Sequence, residues 1–251
     1  MKTFAERLAN HDKLLGTIIS LDCPAVAEIV SQQGFDWIFV DAEHGALDIG
    51  ALEGLVRASC VPALIRIADQ SEKSVKQALD IGATGVIVPQ VNSAEIAAAI
   101  VAYGKYPPLG RRGVGVGRAN AYGNNFANYL ESANRETVVI AQIEHIDAVE
   151  NIEAIINTSA LSGILVGPND LAASMNLLGE PDNEDVVDAI ERVRASCAAH
   201  GMPHGIFHGN PQAAISYAQR GFSLIASGVD CMALGAAALS LAEQLKQGTK
   251  V

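Results

Sequence analysis

Short, uninterrupted apolar runs alternate along this chain with longer Ala- and Leu-rich stretches of mixed polarity. Eight runs have the length and β-branched content of strands: LLGTIISL (14–21), DWIFVDAEH (36–44), PALIRI (62–67), GVIVPQV (85–91), VVIAQIE (138–144), GILVGPND (163–170), HGIFHG (204–209) and SLIASGVD (223–230). They are apolar at consecutive positions rather than at every second one, as in strands buried on both faces. Helical segments between them make neighbouring strands parallel. Eight such units close into a barrel, so the expected fold is α/β, a single (β/α)8 TIM barrel spanning residues 1–251. No Pro/Ser-rich linker or block of charge divides the chain.

One segment breaks the alternation. Residues 105–129, KYPPLGRRGVGVGRANAYGNNFANY, carry glycines, tandem prolines and asparagines that rule out a long helix. Loops of that length in compact domains are usually functional or disordered. Arg111, Arg112 and Arg118 lie among glycines whose backbone amides suit an anion, and a subunit-contact loop suits the same composition equally.

Composition narrows the function classes. Seventeen basic against 28 acidic residues give a formal charge of −11, which argues against nucleic acid or an anionic membrane as partner. It does not exclude an anionic substrate, because a metal ion and a few arginines reverse the field locally. Cys23, Cys60, Cys197 and Cys231 are scattered without a CxxC, which points to a reducing cytoplasm rather than to disulfides or structural zinc. The start, MKTFAERLANHDK, is amphipathic and lacks the apolar core of a signal peptide, and no apolar run reaches membrane-spanning length.

The chemistry gathers at the strand ends, where parallel barrels keep their active sites. VVIAQIE ends on Glu144 and GILVGPND releases Asp170 into a helix start, two carboxylates suited to one hard divalent ion with positions left open. Asp170 is equally suited to capping its helix. Gln142 shares the strand face of Glu144, whereas His145 points to the other face, in a core or interface role. Asp41, Glu43 and His44 emerge from the second strand, and neighbouring acids would orient and raise the imidazole of His44; a surface histidine capping the next helix is the plainer reading. Arg66 is the only charge in its run, and its planar fork suits either a structural acid or a substrate oxyanion.

Taken in order, DAEH, an arginine ending the next strand, LDIGATGVIVPQV, YPPLGRRGVG, QIE and VGPNDL resemble the HpcH/HpaI family of metal-dependent pyruvate aldolases over nearly the whole chain. The resemblance implies a class II aldolase that reversibly joins an aldehyde to the enolate of pyruvate, hydroxypyruvate or a related 2-oxo acid. By matching position, Glu144 and Asp170 would bind Mg2+, Mn2+ or Co2+. Arg66 would stabilise the enolate oxygen, and His44 would be the base, acting through water. The absence of a strand-end lysine argues independently against a Schiff-base route. Asp80 matches the acid that pairs with the histidine, although ALDIGA reads as a helix end on the opposite rim and leaves Asp41 the nearer partner. Asn169 stands where small residues are common, and its backbone amide with that of Asp170 would meet the substrate carboxylate. Phe207 matches an apolar position near the aldehyde, where a bulky ring favours short or polar aldehydes. The resemblance further implies a hexamer, a trimer of dimers, with the last helix exchanged between neighbours. Two other readings stand beside it. One is a lyase acting on an acyl-CoA thioester, of the citrate lyase beta type, which needs a basic groove; the other is a non-catalytic carboxylate-binding barrel.

Overall fold

The structure, a computed structural model, describes residues 2–249. Eight parallel strands close into a barrel in sequence order: β1 (Leu14–Ile19), β2 (Trp37–Asp41), β3 (Ala63–Arg66), β4 (Gly85–Val88), β5 (Val138–Ile143), β6 (Gly163–Val166), β7 (His204–Phe207) and β8 (Leu224–Val229). All eight expected strands are present. Each is shorter than its apolar run, which continues into the adjoining loop at one or both ends of the strand.

Helix α1 (Phe4–Ala9) crosses the bottom of the barrel. Around the outside run α2 (Pro24–Ser31), α3 (Ile49–Ala58), α4 (Glu72–Asp80), α5 (Ala94–Gly104), α6 (Phe126–Glu136), α7 (Ile146–Glu150), α8 (Ile152–Ile156), α9 (Pro168–Ser174), α10 (Glu184–Ala199) and α11 (Pro211–Gln219), and α12 (Asp230–Thr249) closes the chain. Side chains of Asp48, Ser71, Ser93, Asn183 and Asn210 accept backbone N–H groups at the starts of α3, α4, α5, α10 and α11, satisfying donors that have no partner within the helix.

Two apolar layers result. One lies between strands and helices; the other fills the barrel, where Phe4 and Leu8 of α1 join Trp37, Phe39, Leu64 and Leu165. The indole of Trp37 passes so close to Gly16 that a Cβ there would sit 2.4 Å from it, so this layer requires glycine on β1. With the bottom filled, ligands reach the interior from the carboxyl end of the strands.

The segment 105–129 is only in part a loop. A short 3-10 turn, Arg118–Gly123, interrupts it, and its last four residues already begin α6, an 11-residue helix that the glycine-rich composition obscured. Its arginines are committed to the fold. Arg112 is buried between the rings of Tyr106 and Tyr129, at 4.8 and 5.8 Å, and donates to Asp80 at 2.7 Å. Arg118 donates to the Ile81 carbonyl at 3.1 Å, and Arg111 stacks on Tyr103 beside Glu72. These contacts dock the loop along α4, from Glu72 at its start to Asp80 and Ile81 at its end, and on the last turn of α5.

All four cysteines are free thiols. Burial pushes the Cys197 thiol up to about 12. Among the described residues, no helix is long and apolar enough to cross a membrane.

Candidate active site

A cavity of about 300 Å3 opens at the carboxyl end of the barrel, with His44, Arg66, Gln142, Asn169, Asp170 and Phe207 on its walls. Ile18, Phe39 and Leu165 supply an apolar floor. Six residues from the sequence reading are thus brought together from five strand ends.

Arg66 is held first. It stands directly opposite Asp41 in the β2–β3 register, and the two side chains form a forked pair, Nε to Oδ1 at 2.8 Å and Nη2 to Oδ2 at 2.6 Å. Nη1 lies 3.2 Å from Glu43, and the guanidinium covers the Phe39 ring at 5.3 Å. Burial pushes the Asp41 carboxyl up, but its bonds to Arg66 outweigh burial and hold it below the usual carboxylate range. Burial dominates at Glu43, whose pKa is raised despite Arg66.

Asp41 is therefore not the partner of the His44 ring. Its Oδ1 accepts the backbone N–H groups of Glu43 and His44, which shapes the turn, while the exposed imidazole lies 3.8 Å from Glu43. Within the same chain, Asp80 is not a partner either. It ends α4, and helices in this fold run antiparallel to the strands, so it lies at the bottom rim bonded to Arg112. His145 is no core residue: its ring accepts the Asp147 N–H and caps α7.

Glu144 is 1 % exposed. Its carboxylate accepts the Gln90 N–H at 2.8 Å and a short hydrogen bond from the Gln142 amide. Burial, then the nearby charges of Glu43 and Asp170, raise its pKa to about 7. Asp170 does not cap its helix: Gly167 occupies the cap position, and Asp170 stands exposed in the first turn of α9.

Several contributors were not legible. Gln90 adopts φ +55°, a left-handed conformation unusual for a side-chain-bearing residue, and its N–H meets Glu144. A Cβ on Gly167 would sit 2.9 Å from the Glu144 carboxylate and 3.0 Å from the Gln142 amide, so this close approach requires glycine. Glu43 was visible at the strand end but unassigned; its Oε2 is buried without a hydrogen-bond partner.

Acids, an arginine and an imidazole from separate strand ends, converging on the open rim of a filled (β/α)8 barrel, are the layout of a barrel enzyme. Residues 15–237 match the HpcH/HpaI aldolase/citrate lyase family, and the chain belongs to it. It is 35% identical to a 4-hydroxy-2-oxovalerate aldolase of Novosphingobium aromaticivorans over 92% of this chain and 89% of that one. It is 34% identical to a hydroxypyruvate/pyruvate aldolase of Cupriavidus necator over 97% and 92%. A crystal structure of an HpcH/HpaI aldolase/citrate lyase family protein from Burkholderia cenocepacia superposes with a TM-score of 0.90 at 32% identity, covering 98% of both chains. The family read from the motifs and the barrel fold are both borne out, and the chain is a carbon–carbon lyase of the aldolase class.

Proposed function

We propose that the protein is a divalent-metal-dependent aldolase joining the enolate of pyruvate or hydroxypyruvate to an aldehyde, and cleaving the product in reverse. The observation that carries the reading is the gathering of Glu43 and Asp170 about the buried Glu144, beside a cavity lined by Asp170 and Gln142 whose buried cation, Arg66, is already paired with Asp41 and Glu43. Burial first, and after it the negative charges of Glu43 and Asp170, raise Glu144 to about 7, and a bound cation would favour its ionised form against both. Among the described residues no three His, Cys, Asp or Glu side chains form a closed metal cluster. Two carboxylates, Glu144 and Asp170, with open positions fit a hard ion such as Mg2+, Mn2+ or Co2+. Such an ion spreads the negative charge that develops on a 2-oxo acid as its enolate forms.

The protein's own groups do the rest. The remaining N–H groups of Arg66 are held by the Asp41 fork to meet the enolate oxygen. His44, at the cavity edge, takes the proton from C3 through water and returns it to the new alkoxide. The first-turn N–H groups of Asn169 and Asp170 have no carbonyl partner within α9 and suit the substrate carboxylate. The Gln142 amide holds Glu144 in place, and the apolar floor excludes bulk water from the enolate. The acyl-CoA alternative needs a basic groove, and Arg112 and Arg118 are committed within the fold.

The same reading includes a cytoplasmic hexamer, a trimer of dimers. Its support is α12, in which only Asp230 is buried and Leu234, Leu241 and Leu245 form one stripe exposed by about 60%. Such a stripe needs a covering surface, and exchange between neighbours supplies one.

Aldol cleavage of a 4-hydroxy-2-oxo acid is expected to stop on chelation and to return with Mg2+, Mn2+ or Co2+. Full activity of metal-free protein overturns the reading.

A further inference from the structure

Beside the main cavity, and sharing Pro168, Asn169 and Phe207 with it, lies a second hollow of about 220 Å3. Phe207, at the end of β7, walls the two apart, and Pro181, His208 and Asn210 bound the far side. We propose that this hollow takes the far end of the aldehyde and selects an uncharged, hydroxylated chain over a carboxylate-ended or plain alkyl one. The proposal rests on the aldolase reading above.

The polar groups of the hollow carry the argument. His208 is 6% exposed and has no free ring nitrogen: Nδ1 accepts the Asn210 N–H at 3.1 Å, and Nε2 meets Asp182 at 3.2 Å. Its role is to tie the segment carrying Pro181 and Asp182 to the end of β7. Asn210 uses its side-chain oxygen to cap α11 through the Gln212 N–H at 2.8 Å, which leaves both N–H donors of its amide uncommitted. The Asn169 side chain makes no hydrogen bond to the described residues and stands at the junction of the two spaces. Asp182, exposed by 72%, is not on the wall of the hollow but is held next to it by His208 and by its neighbour Pro181.

The hollow thus offers donors and acceptors side by side and no lysine or arginine. A hydroxyl group is both donor and acceptor and fits either partner. A terminal carboxylate would find no cation on these walls, with the Asp182 charge close behind His208. An alkyl chain would leave the amides facing an apolar surface, unpaired. An aldehyde of two carbons has no far end to place in the hollow, and so acts as an internal control.

The test is kcat/KM for addition of pyruvate to four aldehydes: acetaldehyde, butanal, 3,4-dihydroxybutanal and succinic semialdehyde. Dihydroxybutanal is expected to exceed both other four-carbon aldehydes by roughly tenfold, the worth of one or two hydrogen bonds. Asn210→Ser keeps an N-cap oxygen but removes the amide donors. It should lower kcat/KM for dihydroxybutanal several-fold more than for acetaldehyde. Deuterium exchange at C3 of pyruvate, measured in the same samples, separates the two possible failures. Normal exchange with equal four-carbon aldehydes, with semialdehyde preferred, or with an equal Asn210→Ser effect on every aldehyde, overturns the hollow alone. Absence of exchange in the metal-loaded protein overturns the aldolase reading, and the hollow with it.

Discussion

Arg66 and Asp41 lie opposite each other in adjacent strands, and each is buried only because the other is there. Removing one partner of such a pair costs about 3 to 5 kcal/mol, because the remaining charge is left without compensation. Arg66→Ala should therefore lower kcat, raise KM and also depress the urea midpoint. His44 is exposed and supports nothing, so His44→Ala should leave the urea midpoint within error and lower kcat about 10²- to 10⁴-fold with a modest change in KM. Wild-type exchange at C3 of pyruvate in His44→Ala would remove it as the base. Gly167→Ala forces the Glu144 carboxylate or the Gln142 amide to move. It is expected to weaken metal affinity, read by calorimetric titration with Mn2+, more than it lowers thermal stability. The residue types at the rim were legible as charges ending apolar runs. Their pairings were not, because a pairing depends on strand register: Asp41 reads as a neighbour of His44 in sequence and is a partner of Arg66 in space.

Among elements, the strands were the most legible, since a strand buried on both faces has little choice but a continuous apolar run. Helix α6 was hidden, because the loop before it supplies most of the composition in that stretch. The joint between α5 and α6 rests on Lys105, which is 4% exposed and donates to the Asn134 carbonyl at 2.9 Å and to the Thr137 carbonyl. Burial, with a smaller contribution from Arg112, lowers its pKa from 10.5 to about 8. Between those values the unfolded chain binds the proton and the folded chain does not, so this group adds stability as pH rises through the window and none below it. Relative to Lys105→Met, the wild-type protein should therefore gain up to about 3 kcal/mol between pH 8 and 10.5. Urea midpoints at the two ends of that range check the sign; a constant difference would contradict it.

For the whole molecule, barrel closure followed from counting strands, and the open rim followed from the direction in which they run. The position of Asp80 was legible on the same ground: a helix that returns antiparallel to its strand ends at the bottom, whatever motif it carries. What the sequence could not reveal is that α12 leaves its own barrel after Asp230, because an amphipathic helix shows that it must be covered and not by what. Asp230 remains as the root, its carboxylate accepting the Ser20 N–H at 3.0 Å, the Ser20 hydroxyl at 2.7 Å and the Leu21 N–H at 3.0 Å.

In the proposed oligomer, that helix would make stability a matter of mass action. A surface covered only by association ties the folded state to the number of molecules present, so the melting temperature should climb as the protein is concentrated and fall on dilution. Leu241→Glu, which places a charge in the middle of the stripe, should abolish that dependence and yield a smaller species by light scattering. A melting temperature that ignores concentration in the wild-type protein, with unchanged mass in Leu241→Glu, would mean that α12 stands alone in water. In a cell, the same linkage would turn the abundance of the enzyme into a control on how much of it stays folded.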